Sequence, residues 1–167
     1  VRGQVEVATA RGKLRSLRLI PENPRALPQT IDAIAAADWI TMGPGSWFSS
    51  VIPHLLMPAL RSALISSSAK KILLLNLDSA DQSAGEYAGY SPLEHLKILH
   101  QYAPQLHFDC VVLDTHSDGA DELGSYLSTQ GSELLRADLR SPEHPLHHDT
   151  KKLGQLFAHI ALEKLVG

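Results

Sequence analysis

The run Lys71-Ile-Leu-Leu-Leu-Asn-Leu77 is apolar at nearly every position. A strand of that kind has to be covered on both faces, as the inner strands of a parallel sheet are. Trp39 to Met42 and Cys110 to Asp114 have the same character. Between these runs lie stretches of helical period. A short Ala-rich helix is expected from Pro28 to Ala37, and Val51 to Ser67 carries Leu55, Leu56, Leu60 and Leu64 on one face, with Pro53 and Pro58 dividing it. Ser91-Pro-Leu-Glu94 opens a helix running to about Tyr102, with Ser91 as N-cap, Pro92 in the first helical position and Glu94 completing a capping box. A helix near Asp121 to Ser128, a weaker strand from Glu133 to Leu139 and a closing amphipathic helix from Thr150 to Val166 follow. Strands alternating with helices predict an α/β fold: a Rossmann-like three-layer α/β/α sandwich around a mostly parallel sheet. Ahead of it, Val1 to Ala8 and Leu14 to Ile20 alternate around Ala10-Arg-Gly-Lys13, which predicts an antiparallel hairpin.

The 167 residues make one ordinary domain, and 44% apolar with 20% charged residues is a globular composition. A formal charge of −3 with interspersed signs supplies no attraction to nucleic acid. Cys110 stands alone, which excludes an internal disulfide, and no signal peptide or bilayer-length apolar run is visible, so a cytoplasmic protein with no membrane partner is expected. The chain begins at Val1 inside an alternating pattern and reads as a piece of a longer protein.

In parallel sheets ligands sit at the carboxyl ends of the strands, so the loops after Met42, Asn76 and Asp114 are expected to share one functional edge. The first is Gly43-Pro44-Gly45-Ser46, with Ser49 and Ser50 behind it. Glycines permit close backbone approach, and hydroxyls at a helix start suit a phosphate. No Gly-Lys-Ser/Thr follows, so this is not a Walker A loop, and a tight turn without ligand has the same form. The Asn76 amide suits a base or sugar hydroxyl, or a cap on its own loop. Gly85-Glu86 and Tyr90 form either a cover over a ligand or a solvated turn. His144, His147 and His148 lack a zinc spacing, and no metal is expected; Asp149 or Thr150 instead caps the last helix, with Lys151 and Lys152 solvated. His54 is given no role. His95, His100 and His159 read as surface or boundary residues, and no nucleophile elbow is present.

The segment Gly43-Pro-Gly-Ser-Trp-Phe-Ser-Ser-Val-Ile-Pro-His-Leu-Leu56 closely resembles the Gly-Pro-Gly-Ser-Leu-Tyr-Thr-Ser-Val-Ile-Pro-Asn-Leu-Leu signature of the YvcK-like proteins. These are gluconeogenesis factors related to CofD, the 2-phospho-L-lactate transferase of deazaflavin cofactor synthesis. Leu75-Asn-Leu77, Gly85-Glu86, Gly89-Tyr90-Ser91 and His148-Asp-Thr150 continue the resemblance. The family's opening Gly-Gly-Gly-Thr-Gly and Asp-Asp-Gly-Gly-Ser loops do not occur, so the chain is similar to the second half of the family. His54 stands in place of Asn, His147 in place of an Arg that would pair with a diphosphate, and the loop after Asn76 is three residues longer than usual. The resemblance implies a regulator that binds UDP-N-acetylglucosamine through Gly43, Gly45, Ser46 and Asn76 in the full-length protein and weakly or not at all in this chain. It also implies action in envelope synthesis and cell shape during gluconeogenic growth, a homodimer, and a Ser/Thr kinase acting at Thr150. The alternative it implies is a transferase moving a phospholactyl group with Mg²⁺, for which Asp78 and Asp114 are the candidate carboxylates. A non-catalytic interaction module without a ligand is the third reading.

Overall fold

The computed structural model describes residues 2–9, 16–77 and 90–165. Four strands, β1 (Trp39–Met42), β2 (Lys70–Leu74), β3 (Cys110–Asp114) and β4 (Glu133–Ala137), form an all-parallel sheet in the order β1-β2-β3-β4. Each strand is followed by helix before the next begins. After β1 a π-helical turn (Trp47–Val51) leads into α3 (Ile52–Leu56) and α4 (Pro58–Ser66), α5 (Pro92–Tyr102) lies between β2 and β3, and α6 (Ala120–Gln130) lies between β3 and β4. Ahead of β1 stand α1 (Gln4–Ala8) and α2 (Pro28–Ala36), and α7 (Thr150–Leu165) closes the chain. The expected division of Val51 to Ser67 falls at Met57, where Pro58 forces extended backbone before a new helix starts.

The all-apolar strands are explained by the two faces they serve. Leu73, Leu75, Val111 and Leu113 point into a core with Phe48, Ile52, Leu55, Leu96 and Leu123, whereas Ile72, Leu74, Cys110 and Val112 point the other way onto Leu156 and Ile160 of α7. Period-two alternation sends successive side chains to opposite faces, and both are dry. Each fully buried Leu or Ile stabilises the fold by about 2 kcal/mol, so burial in this sandwich is the largest single source of stability. The capping box of α5 is complete: the Ser91 hydroxyl accepts from the Glu94 N–H at 3.2 Å, and the Ser91 N–H donates to the Glu94 carboxylate at 2.8 Å. Among the described residues no single helix is long and apolar enough to cross a membrane.

The expected N-terminal hairpin is corrected. Gln4–Ala8 is one turn of helix, closed by Val7 N–H to Gly3 C=O and Thr9 N–H to Val5 C=O bonds, and residues 16–20 carry no strand; Leu14 and Arg15 lie outside the described residues. A five-residue alternation fits a helical turn as well as a strand, and strand preference is decided by cross-strand partners. Here Val7 and Leu17 rest against the larger core while Val5 and Ile20 are 71% and 62% exposed.

Candidate site at the carboxyl edge of the sheet

Because all four strands are parallel, the ends of β1, β2 and β3 share one edge, as the sequence implied. At the first of them Gly43 has φ 76°, in the left-handed region, and a Cβ there would lie 2.4 Å from the Leu74 carbonyl oxygen of β2. Only glycine lets the turn pass this close to its neighbour. The Gly43–Pro44 peptide bond is cis. Ser46 then starts the helix: its hydroxyl accepts from the Ser49 N–H at 3.2 Å and makes a short hydrogen bond with the Ser49 hydroxyl, while its carbonyl accepts from Ser50 and Val51. Trp47 and Phe48 are 1% exposed and anchor this start in the core.

Asn76 holds the turn from across the β1–β2 gap. Its Oδ1 accepts from the Gly45 N–H at 2.9 Å and its Nδ2 donates to the Gly45 carbonyl at 2.8 Å. The amide thus mimics a strand partner and fixes the turn's backbone, which is the loop role considered for it. The Gly45 N–H is thereby committed to Asn76. Asn76→Ala is expected to lower stability by about 1–3 kcal/mol, the cost of leaving a part-buried N–H and C=O without partners, read as a fall in the urea midpoint at unchanged m-value.

The carboxyl ends of β3 and β4 form a second polar group. The Asp114 side chain is 0% exposed, and its Oδ1 accepts from Arg140 Nε at 2.6 Å and the His116 N–H at 3.0 Å, while Oδ2 accepts from the Leu139 N–H at 2.9 Å. Burial pushes its pKa up, but the Leu139, Arg140 and His116 donors outweigh this and hold it below the ordinary aspartate value. Lys152 is tied down as well, its Nζ reaching Asp138 at 2.6 Å and the Arg140 carbonyl at 2.8 Å, so of the two lysines expected in solvent only Lys151 is exposed. His148 pairs with Arg140 as an antiparallel bridge. Burial, aided by the charge of Arg140, lowers its pKa against the opposing effects of Asp114 and the Leu75 carbonyl. Among the described residues, His148 Nε2 and Ser117 Oγ are buried with no hydrogen-bond partner.

Asp114, His116 and Asp138 place ligand atoms within 4.8 Å of one another, but Mg²⁺ does not fit there. It demands several oxygen ligands in octahedral array, whereas this set holds one imidazole and its buried carboxylate already faces a guanidinium.

The remaining candidates are scattered. Tyr90 is half-buried against Phe48 and His95, with ring centroids 6.1 and 5.4 Å away, so its face packs against the first turn of α5. His95 is half-buried, at the boundary expected for it, and burial lowers its pKa to about 4 against the pull of Glu94. His147 is exposed in the loop before α7, its ring 5.5 Å from that of His144. Thr150 is exposed as the first residue of α7, and Asp149 is the cap, its Oδ1 accepting from the N–H groups of Lys151 and Lys152 at 2.8 and 3.0 Å. Asp78, Gly85 and Glu86 lie outside the described residues. The sequence reading overlooked Arg140 and gave His148 no place in the site. Arg140 meets Asp114 across 26 residues, a separation with no local pattern to mark it.

Comparisons with known proteins agree with this architecture. The chain is similar to a protein of Mycobacterium tuberculosis that carries the gluconeogenesis-factor name, at 41% identity over 155 residues, covering 90% of this chain and 44% of that protein. It is 28% identical over 183 residues to the gluconeogenesis factor of Bacillus subtilis, covering 98% of the chain and 55% of the relative. The chain therefore spans about half the length of these relatives. The crystal structure of a UPF0052 family member from Bacillus halodurans superimposes with a TM-score of 0.75 at 23% identity, over 93% of this chain and 54% of that one, which shows the shared fold. The family model described as 2-phospho-L-lactate transferase CofD matches residues 1–165, and the chain belongs to the CofD family.

Proposed function

We propose that this chain forms one wall of a nucleotide-sugar site in a regulatory protein of the gluconeogenesis-factor kind, with UDP-N-acetylglucosamine as the ligand. The observation that carries the reading is the Gly43–Ser46 turn, held at the carboxyl edge by two Asn76 hydrogen bonds and running straight into a serine-capped helix start. Glycine backbone lets a phosphate approach closely, and the hydroxyls of Ser46, Ser49 and Ser50 are the donors it would meet, since Pro44 has no N–H and that of Gly45 is held by Asn76. The orphaned His148 and Ser117 atoms at the β3 end of the same edge support a polar ligand extending beyond the turn. Regulation favours the non-catalytic form. Asp114, one of the two carboxylates that a phospholactyl transferase would use, is committed to Arg140 and two backbone donors and is a poor proton acceptor. The exposed Thr150, beside Lys151 at a helix start, is where a Ser/Thr kinase would act, and a cytoplasmic homodimer is the expected state.

Calorimetry tests the reading. UDP-N-acetylglucosamine is expected to bind a protein that carries this chain at the relatives' full length, and to bind the 167-residue chain alone with a Kd on the order of 1 mM. Turnover of a phospholactyl donor with no heat from the UDP-sugar would replace the regulator by the transferase.

A further inference from the structure

A cavity of about 320 Å³ opens beside the turn, at the carboxyl end of β1 and between α2 and α4. Gly43, Pro44 and Ser50 belong to its lining, so whatever fills it is in contact with the turn. Its walls are Ile34, Ile40, Met42, Val51, Leu60 and Leu64, and its polar groups are Thr30, Thr41, Ser50 and His54. Among the described residues, none that lines it is Asp, Glu, Lys or Arg.

We infer that this cavity seats the neutral ring of a nucleoside whose phosphate lies against the Gly43–Ser46 turn, an assignment that rests on the nucleotide-sugar reading of that turn. A diphosphate does not enter a space whose described lining is leucine and isoleucine without a cation, because its desolvation would be uncompensated. A sugar is excluded for a related reason: it would bury several hydroxyls against walls offering too few partners. A flat heterocycle matches both properties of the lining, since its faces are apolar and its edge carries the few donors and acceptors that Thr30, Thr41 and His54 can meet. The volume also selects. It lies at the low end for small-molecule pockets, enough for a nucleobase and too small for a whole nucleotide-sugar, so the ribose and the second sugar lie outside it. His54, an exposed residue of the lining, then stands beside the ring, and in this chain it replaces the Asn of the related signature.

Methyl and amide NMR of the 167-residue chain tests this directly, using UMP, inorganic phosphate and octyl phosphate as probes. With UMP the methyls of Ile34, Ile40, Leu60 and Leu64 are expected to show ring-current shifts, together with the amides of the turn. Phosphate should move the turn amides alone. An Ile34→Trp variant, which occupies the α2 side of the cavity, should weaken UMP by about tenfold and leave phosphate binding unchanged. Turn amides that respond to UMP while the four methyls stay still would overturn the ring seat and leave the nucleotide reading standing. Tighter binding of octyl phosphate than of UMP at those methyls would mark an aliphatic site and sink the proposal. No response to UMP or phosphate anywhere would remove both.

Discussion

Gly43→Ala is expected to be the most damaging single-methyl change on the functional edge. Alanine at φ 76° costs about 1–2 kcal/mol, and its Cβ would stand 2.4 Å from the Leu74 carbonyl oxygen, an approach that real side chains do not make. The contact is with backbone, so no rotamer relieves it. Strand β1 must move away from β2 or the turn must rebuild, adding about 1–3 kcal/mol for overpacking. A total near 4 kcal/mol is a large share of the stability of a domain this size. Denaturant unfolding reads that loss. Gly131→Ala is the control: it has the same sign of φ, at 69°, but open space around it, and should cost only the backbone part. Equal effects at the two positions would show that the close approach to Leu74 does not matter. Binding of phosphate at the turn should disappear in Gly43→Ala even where the folded fraction is restored by lower temperature.

Asp114→Ala is the second large expectation. It leaves the Arg140 guanidinium and the Leu139 N–H without their acceptor at a buried point, and removing one member of such a pair costs about 3–5 kcal/mol. Arg140→Met should be milder, because Asp114 keeps its two backbone donors. The double variant should recover part of the Asp114→Ala loss, which a thermodynamic cycle would show as coupling. The pH dependence follows from the direction of the shift. The folded carboxyl has its pKa held below the ordinary value, so its contribution is complete above about pH 4 and is lost as the pH falls further, through the folded value. Acid unfolding of Asp114→Ala should accordingly be flatter below pH 4 than that of the unaltered chain. An unchanged acid limb would mean that Asp114 is not the group that titrates there.

Much of this fold was legible along the chain because it is written locally. The β1 and β3 boundaries follow from where apolar runs stop, α5 from Ser91, Pro92 and Glu94, and the break before α4 from Pro58. The position of the turn was equally plain, since Met42-Gly43-Pro44-Gly45 ends an apolar run; the burial expected of that run was not met, because β1 is an edge strand with only Met42 buried and Thr41 exposed. The hairpin was misread because Gln4 to Ala8 is too short for its alternation to choose between strand and helix. β2 ends at Leu74 rather than Leu77, since Asn76 turns its amide to Gly45 and leaves the ladder.

Sequence alone settled that the run Ile72 to Leu75 would be an inner parallel strand, and that a glycine turn would follow the strand Trp39 to Met42, because burial on two faces and the backbone freedom of glycine are properties of neighbouring residues; that the latter strand stands at the edge of the sheet was not legible. Which partners those residues acquire was decided only in three dimensions. Asn76 meets Gly45 across 31 residues, Asp114 meets Arg140 across 26, and the cavity beside the turn draws its walls from α2, β1 and α4. Hydrogen bonds and cavities form between groups that chain folding brings together, and no spacing along the chain records which groups those will be.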